Sequence, residues 1–279
     1  MKLPIILAST VVLLTACGGG SSSDSNTTPA KKISISEVTS DQVLYRKIST
    51  ITVKGQNLDL GINFSHQGCL KLTELTGSTA TQKTFSCKIV GVGTVPVVVT
   101  DGSGNSIYAS NVTIPLAAQP QVTMVTNMGT VVMELNPAKA PITVDNFLNY
   151  AESGFYVNKI FHRVISNFMI QGGGFTADLA QPATQAAIKL EVGTGLSNTR
   201  GTIAMARTNV LDSATSQFFI NVVDNVSLDT SGGGYAVFGK VISGLDVVDK
   251  IKDVAVSTRG GMENVPNTAV VINSMLQTK

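Results

Sequence analysis

Apolar and polar residues alternate along residues 33–117, without the three- to four-residue spacing of a helix. The clearest alternating runs lie at 33–36, 51–53 and 95–99. Turn-forming residues, among them Asp101-Gly102, separate these runs. Short alternating runs between turn residues are typical of strands, and several in succession are typical of two packed sheets. The pattern therefore predicts a small antiparallel β-sandwich domain at residues 33–117.

The pattern changes near residue 118, where a second region begins. Residues 122–124 and 130–135 alternate on either side of Asn127-Met128-Gly129, which predicts a β-hairpin. Further alternating runs predict more strands, the first at 159–164, others up to residue 241 and the last near 270–274.

Two helices are predicted within this second region. The first begins at Pro141 and ends at Gly154, which are typical residues for the two ends of a helix. Its apolar residues recur at i, i+3, i+4 and i+7 and are Val144, Phe147, Leu148 and Ala151. A shorter helix is predicted near 245–251. Many antiparallel strands with two isolated helices predict a closed β-barrel, capped by the helices, at residues 118–279.

The first residues of the chain predict export. Residues 1–16 contain one lysine, an apolar stretch and small residues at the end, as in a secretory signal peptide. Leu14-Thr15-Ala16-Cys17 resembles the lipobox of bacterial lipoproteins, which implies a lipid anchor on Cys17. The alternative is an ordinary signal peptide that happens to precede a cysteine. Residues 17–32, which are rich in glycine and serine, are predicted to form a flexible linker after the lipidated cysteine.

The other two cysteines, Cys69 and Cys87, both lie in strand-like runs of the first domain. In an exported chain a disulfide between them is favoured, and two buried free thiols are the alternative. Residues 55–58, which follow a strand, and the closing hairpin at 95–100 make this domain similar to the immunoglobulin-like modules of bacterial surface proteins. That resemblance implies an architecture only, and the partner of the domain stays unknown.

Composition and charge narrow the classes of function. Of the 279 residues, 43% are hydrophobic and only 14% are charged, as in globular domains. The net charge of +2, without a dense basic run, argues against a nucleic-acid partner. His66 and His162, the two histidines, lie far apart in the sequence, so no metal site is predicted.

Four blocks in the second region carry the most specific signal. They are FHRVI with FMIQGGGF at 161–175, RGTIAMAR at 200–207, SATSQFFIN at 213–221 and YAVFGKV at 235–241. In this order they resemble the cyclophilins, the cyclosporin-type peptidyl-prolyl isomerases, over residues 120–279 and in the bacterial periplasmic form. The resemblance implies a cyclophilin-like barrel that acts on X–Pro bonds without a cofactor.

The resemblance also implies roles for individual residues. Arg163 matches the catalytic arginine, and Gln171 matches the glutamine that binds the substrate backbone and orients that arginine. The positions that match the proline pocket and its surroundings are Phe168, Met169, Ala206, Arg207, Gln217, Phe219, Leu228 and Tyr235. Tyr235 stands where the family usually has a histidine, and Ser227 stands where drug-sensitive eukaryotic members have a tryptophan. His162 is expected to be structural.

The chemistry of X–Pro rotation fits this set of residues. Rotation breaks amide resonance, against a barrier of about 18–20 kcal/mol, and it requires no nucleophile and no proton transfer. A catalyst needs an apolar pocket for the proline ring and a donor for the imide nitrogen, which regains its lone pair in the twisted state. A guanidinium is always charged and is rigid across its fork, so it suits that role.

The sequence thus predicts an enzyme of the bacterial cell envelope. The expected substrates are proline-containing segments of exported or unfolded proteins. The expected location is a lipid-anchored one, at the outer membrane and facing the periplasm, because Gly18 follows the cysteine. Two alternatives remain: a binding module that captures proline segments as a chaperone or docking surface, and a structural surface lipoprotein whose first domain carries the function.

Overall fold

The computed structural model describes residues 31–279 and the backbone of Ile5–Ile6. The rest of the predicted signal peptide, Cys17 and most of the predicted linker lie outside the described residues. The chain divides into two compact units, Met1–Pro115 and Leu116–Lys279. Among the described residues, no helix is long and apolar enough to cross a membrane.

The N-terminal unit consists of two antiparallel sheets. Its strands are β1 (Ile5–Ile6), β2 (Ser34–Ser40), β3 (Ile48–Gln56), β4 (Ile62–His66), β5 (Cys69–Glu74), β6 (Gln82–Ile89), β7 (Gly93–Asp101) and β8 (Ser106–Ile114). One sheet has the order β1-β2-β3-β6-β5, and the other has the order β4-β7-β8. A single 3₁₀ turn, Leu58–Leu60, follows β3.

The alternation along these strands places their apolar residues in one core. Ile51 and Val53 of β3 and Val97 and Val99 of β7 are buried, while the residues between them are less so. Phe64 on β4 stacks on a phenylalanine of β6 with ring centroids 4.8 Å apart, so the two sheets share this core. The predicted antiparallel strands are present, and the immunoglobulin-like character of the unit stays a prediction.

Cys69 and Cys87 are joined by a disulfide within the first sheet. Cys69 begins β5 and lies opposite Ile89 of β6, two residues beyond Cys87. The pairing of the two strands therefore brings the cysteine Cα atoms to 5.5 Å, within the usual span of a disulfide.

The C-terminal unit is a nearly closed barrel. Its strands are β9 (Gln121–Thr126), β10 (Gly129–Leu135), β11 (Lys159–Ile165), β12 (Met169–Thr176), β13 (Thr202–Met205), β14 (Phe218–Asn221), β15 (Val237–Ser243), β16 (Val256–Arg259), β17 (Met262–Pro266) and β18 (Ile272–Gln277). Eight of them form one antiparallel sheet in the order β11-β12-β14-β13-β15-β10-β9-β18. A bridge between Ile160 and Val271 brings the two edges of this sheet together. The predicted barrel is confirmed.

Both predicted helices are present, as α1 (Pro141–Glu152) and α2 (Leu245–Lys252). The apolar side of α1 is buried in the barrel core, where Phe147 packs edge-on against Phe218 with ring centroids 5.4 Å apart. The first turn of α1 has no cap from its own sequence. Instead, the carboxylate of Glu191 accepts hydrogen bonds from the backbone N–H groups of Ile142 and Thr143.

Three details differ from the sequence prediction. The run of strands predicted from 159 to 241 is interrupted, because residues 177–201 form no strand apart from an isolated bridge at Ile188. The last strand lies at Ile272–Gln277 rather than 270–274, since Val271 forms only an isolated bridge, to Ile160, and its N–H donates to the side chain of Asn127. The β16–β17 hairpin was not predicted, because the short strands have no alternating apolar pattern.

Candidate active site

A second apolar cluster lies on the outer face of the barrel. Neighbouring residues of β14 point to opposite faces of the sheet, so Phe218 enters the barrel core and Phe219 packs outside it. The buried residues of the outer cluster are Met169, Ala204, Phe219 and Val237. These residues come from β12, β13, β14 and β15, which are neighbours in the sheet. The sheet order therefore assembles this cluster from four separate parts of the sequence.

A cavity of about 120 Å³ opens beside the outer cluster. The residues that line it are Arg163, Phe168, Met169, Gln171, Ala206, Arg207, Phe219, Leu228 and Tyr235. All of them belong to the set that the sequence resemblance singled out. Gln217, the remaining member of that set, does not line the cavity but hydrogen-bonds to Gln171. The fold thus brings the whole predicted set together at one place.

The polar edge of the cavity is built by strand pairing. Arg163 on β11 lies opposite Gln171 on β12, and Gln171 lies opposite Phe219 on β14. Nη1 of Arg163 donates to Oε1 of Gln171 at 3.5 Å, and Nε2 of Gln171 donates to Oε1 of Gln217 at 2.8 Å. Among the described residues Arg163 forms no ion pair, so most of its five N–H donors are available to a ligand.

A β-bulge aims Arg163 at the cavity. Phe161 lies opposite Gly172 and Arg163 lies opposite Gln171, so His162 is an extra residue on β11. In a regular strand Phe161 and Arg163 would share a face, and the arginine would point into the barrel core with Phe161. The bulge moves Arg163 to the outer face, and bulges of this kind are frequent next to active sites.

His162 itself is buried beside the site. Its ring lies 4.6 Å from that of Phe175, and only 5% of the residue is exposed. Burial, together with the smaller effect of the neighbouring Arg163 charge, lowers the pKa of His162 to about 4. The imidazole is therefore neutral at physiological pH and adds no positive charge beside the cavity.

Tyr235 forms one wall of the cavity and is held by Arg207. Its ring meets that of Phe219 edge-on at 5.8 Å between centroids, and the guanidinium of Arg207 lies 4.6 Å from the Tyr235 ring centroid. The same guanidinium donates to the carbonyl oxygen of Gly234 from Nε at 3.0 Å and to that of Thr208 from Nη1 at 2.9 Å. The side chain of Arg207 thus supports the wall, and its N–H groups donate to backbone carbonyls.

The three glycines before Tyr235 make this support possible. Gly232, Gly233 and Gly234 all have positive φ, at 61°, 93° and 88°. A Cβ on Gly233 would lie 2.4 Å from a methyl carbon of Leu211, and one on Gly234 would lie 2.6 Å from a backbone oxygen. At Gly234 only glycine fits both the backbone angle and the space. The triple glycine therefore serves the shape of the wall.

Sequence reasoning missed the polar residues behind the cavity. Asn198, Asn221 and Asn225 are buried and hydrogen-bonded to one another, and Asp229 lies at the end of this set. Asparagines scattered over loops and strand ends give no periodic signal, so only the folded chain shows that they meet.

Known proteins similar to this chain match its C-terminal unit. Residues 121–276 match the family model described as cyclophilin type peptidyl-prolyl cis-trans isomerase/CLD. A protein of Acinetobacter baylyi named peptidyl-prolyl cis-trans isomerase is 57% identical over 160 residues, which are 57% of this chain and 85% of the relative. Peptidyl-prolyl cis-trans isomerase B of Escherichia coli is 55% identical over 159 residues, covering 55% of this chain and 97% of the relative.

A solved structure of a protein with the same family description is also similar to this chain, at lower sequence identity. The crystal structure of a cyclophilin type peptidyl-prolyl cis-trans isomerase of Cryptosporidium parvum aligns with a TM-score of 0.50 and 26% identity. The alignment covers 58% of this chain and 99% of that protein.

Proposed function

The chain belongs to the cyclophilin-type peptidyl-prolyl cis-trans isomerases, and we propose that its C-terminal unit rotates X–Pro bonds at the cavity between Arg163 and Tyr235. The observation that carries the choice of site is an apolar cavity with the guanidinium of Arg163 at its edge, which pairs with no carboxylate among the described residues and donates there only to Gln171. The cavity accepts the proline ring, and the arginine lies at its polar edge.

The apolar part of the cavity binds and orients the substrate. Phe168, Met169, Phe219 and Leu228 surround the space on the outer face of the barrel. A proline ring buried there is held while the residue before it is free to rotate. Burial of this ring is the same in the planar and in the twisted amide, so these residues supply binding rather than a lower barrier.

Arg163 supplies the interaction that differs between the two states. As the X–Pro amide twists, resonance is lost and the imide nitrogen becomes a hydrogen-bond acceptor. A guanidinium that donates to this nitrogen stabilises the twisted state more than the planar one. Gln171 accepts from Arg163 and donates to Gln217, which restricts the rotamers of the arginine before the substrate arrives. No covalent intermediate and no proton transfer are required.

A peptide exchange measurement tests the binding site. We expect the full chain to accelerate cis–trans exchange in a proline tetrapeptide, measured by NMR line broadening. Leu228→Ala and Phe219→Ala should raise the KM for this peptide, because each removes part of the apolar contact with proline. Phe155→Ala is the matched control, since Phe155 packs against the barrel core and does not line the cavity. Peptide binding without faster exchange, or equal effects of all three substitutions, would contradict the proposed site.

We further propose that the enzyme acts on exported proteins in the bacterial cell envelope. The proposal rests on the predicted signal peptide at 1–16, the lipobox at Cys17 and the linker that follows. The disulfide between Cys69 and Cys87 supports it, because disulfides persist in oxidising compartments and are rare in the cytosol. In the sequence, the N-terminal unit, which we propose to be immunoglobulin-like, follows the proposed lipid anchor and precedes the isomerase unit.

A further inference from the structure

A continuous chain of buried amides lies behind the cavity. It consists of Asn198 and Asn221, both 0% exposed, and Asn225, which is 9% exposed, and it is called the amide chain below. None of the three side chains lines the cavity. They belong to different segments, since Asn198 lies before β13, Asn221 ends β14 and Asn225 precedes the 3₁₀ turn Val226–Asp229.

The hydrogen bonds of the amide chain all run in one direction. Nδ2 of Asn225 donates to Oδ1 of Asn221 at 2.8 Å, and Nδ2 of Asn221 donates to Oδ1 of Asn198 at 3.1 Å. Nδ2 of Asn198 then donates to Oδ1 of Asp229 at 2.8 Å. Because an ionised carboxylate only accepts, Asp229 determines which way the amide of Asn198 points, and each amide determines the next.

Both ends of the amide chain hold the backbone of cavity residues. At one end, Nδ2 of Asn225 also donates to the carbonyl oxygen of Phe168 at 2.7 Å. At the other end, Nδ2 of Asn198 also donates to the carbonyl oxygen of Tyr235 at 3.3 Å. Leu228 is held between them, because its N–H donates to the backbone of Asn225 at 2.8 Å and its carbonyl accepts from the N–H of Tyr235 at 2.9 Å.

We propose that the amide chain is a positioning device for the pocket residues Phe168, Leu228 and Tyr235. These residues lie on separate segments, and the amide chain connects the carbonyl of Phe168 to that of Tyr235, with Leu228 attached through the backbone of Asn225. The inference rests on the proline pocket proposed above and adds to it three positioning residues that do not touch the substrate.

Every side-chain N–H group of the amide chain has a hydrogen-bond partner, which supports the positioning role. Both N–H bonds of each amide are used, since Asn221 also donates to Oγ1 of Thr202 at 3.0 Å. Burial tends to raise the pKa of Asp229, but hydrogen bonds from Ser197 and Asn198 outweigh it and the net shift is downward. A fully satisfied buried network is rigid and specifies one arrangement, whereas a partly satisfied one is costly. Apolar residues would fill this space but would not bond to the carbonyls of Phe168 and Tyr235.

The proposal predicts a particular kinetic signature. The pocket binds the proline ring equally in the planar and the twisted amide, so a pocket that is held less firmly loses binding in both states. Such a change raises KM and leaves kcat nearly unchanged. Loss of the Arg163 interaction, by contrast, lowers kcat.

Substitution of Asn225 tests the proposal in the full chain. Asn225→Ala removes both side-chain donors, and Asn225→Asp keeps the shape but places a carboxylate against two acceptors. We expect each to raise the KM for a proline tetrapeptide about tenfold, the loss of about one net hydrogen bond, with kcat within about twofold. Hydrogen exchange at the backbone amides of Leu228 and Tyr235 should become faster.

A second variant covers the case in which Asn225→Asp does not fold. Asn221→Ser shortens the side chain in the middle of the amide chain and should change KM and hydrogen exchange in the same direction.

Ile251→Val on α2 is the control for stability alone. Ile251 is fully buried in the barrel core and does not line the cavity, so its truncation should lower stability and leave KM unchanged. If the Asn225 variants lose stability but keep the wild-type KM, as this control does, the amide chain is merely structural and the proposal is wrong. If Leu228→Ala raises KM and the Asn225 variants do not, the pocket stands and the positioning role fails. If Leu228→Ala also leaves KM unchanged, the pocket itself is wrong.

Discussion

Ser227 lies on the exposed 3₁₀ turn Val226–Asp229, next to the cavity residue Leu228. The sequence resemblance matches Ser227 to the tryptophan of drug-sensitive members of the family. Serine offers neither the large apolar surface of an indole nor its N–H donor.

We therefore expect cyclosporin to inhibit this enzyme weakly. The missing burial alone corresponds to roughly 1.5–3 kcal/mol, or about ten- to a hundredfold in affinity. Ser227→Trp should restore tight inhibition while turnover of a proline tetrapeptide stays near that of the wild type. Titration of the drug against both proteins checks this, and tight inhibition of the wild type would show that the match of position 227 is wrong.

His162 makes the stability of the barrel depend on pH. Its pKa is about 4 in the folded chain, mainly because of burial, and about 6.5 when it is exposed. The unfolded chain therefore binds a proton more readily between these values, and stability falls as pH drops from about 6.5 towards 4.

We expect the wild type to lose about 1 kcal/mol more than His162→Gln between pH 6.5 and 5.5. Urea unfolding of both proteins at the two pH values measures this difference. His66 is also buried with a lowered pKa, but it is common to both proteins and cancels. Parallel losses in the two proteins would contradict the assignment.

At the scale of elements, α1 depends on a residue far from it in sequence. The carboxylate of Glu191 accepts from the N–H of Ile142 at 3.1 Å and from the N–H and hydroxyl of Thr143, both at 2.8 Å. Helix starts leave such donors without partners inside the helix, so an acceptor from another segment takes the place of a cap. The same contacts attach the strandless segment 177–201 to the barrel.

Glu191→Ala should therefore loosen the start of α1. We expect a loss of about 1–3 kcal/mol in the free energy of unfolding, because buried donors are left unsatisfied. Hydrogen exchange at Ile142 and Thr143 should become faster than at the end of the helix. Glu263→Ala, at an exposed glutamate, is the matched control and should change neither quantity. Exchange at Ile142 that stays as slow as in the wild type would rule out the capping role.

The sequence predicted those elements whose signals are local. Pro141 and Gly154 mark the ends of α1, and apolar spacing marks its buried side, so the helix was placed correctly. The bulge at His162 gives no such signal, because it depends on how β11 pairs with β12. The amide chain and the Glu191 cap depend likewise on contacts between distant segments. The site residues could be named because a family pattern carries them, whereas the hydrogen bonds that hold them could not.

At the scale of the whole molecule, the chain combines two compact units. Residues 1–17 predict where in the cell these units are located. The proposed membrane attachment rests on the lipobox at Cys17. One acyl chain binds a membrane only weakly, and stable attachment needs more than one.

We expect Cys17→Ser to remain uncleaved or to be recovered in the soluble fraction. The wild type should stay with the membranes after a high-salt wash, which removes proteins held by charge alone. Fractionation followed by immunoblotting distinguishes the two, with isomerase activity in each fraction as a second reading. If Cys17→Ser fractionates with the membranes like the wild type and is cleaved like it, the lipoprotein proposal is wrong.

The central claim is that one guanidinium at the edge of an apolar cavity lowers the barrier to X–Pro rotation. The most direct test compares kcat and KM for a proline tetrapeptide in the wild type, Arg163→Ala and Arg200→Ala, all as full chains. Arg200 is the matched control, because its guanidinium pairs with Asp249 at 2.7 Å and does not line the cavity. The account predicts a loss of about a hundred- to a thousandfold in kcat for Arg163→Ala, as for other single donors to a transition state, and little change for Arg200→Ala. Activity of Arg163→Ala within about twofold of the wild type, with an unchanged circular dichroism spectrum, would contradict it.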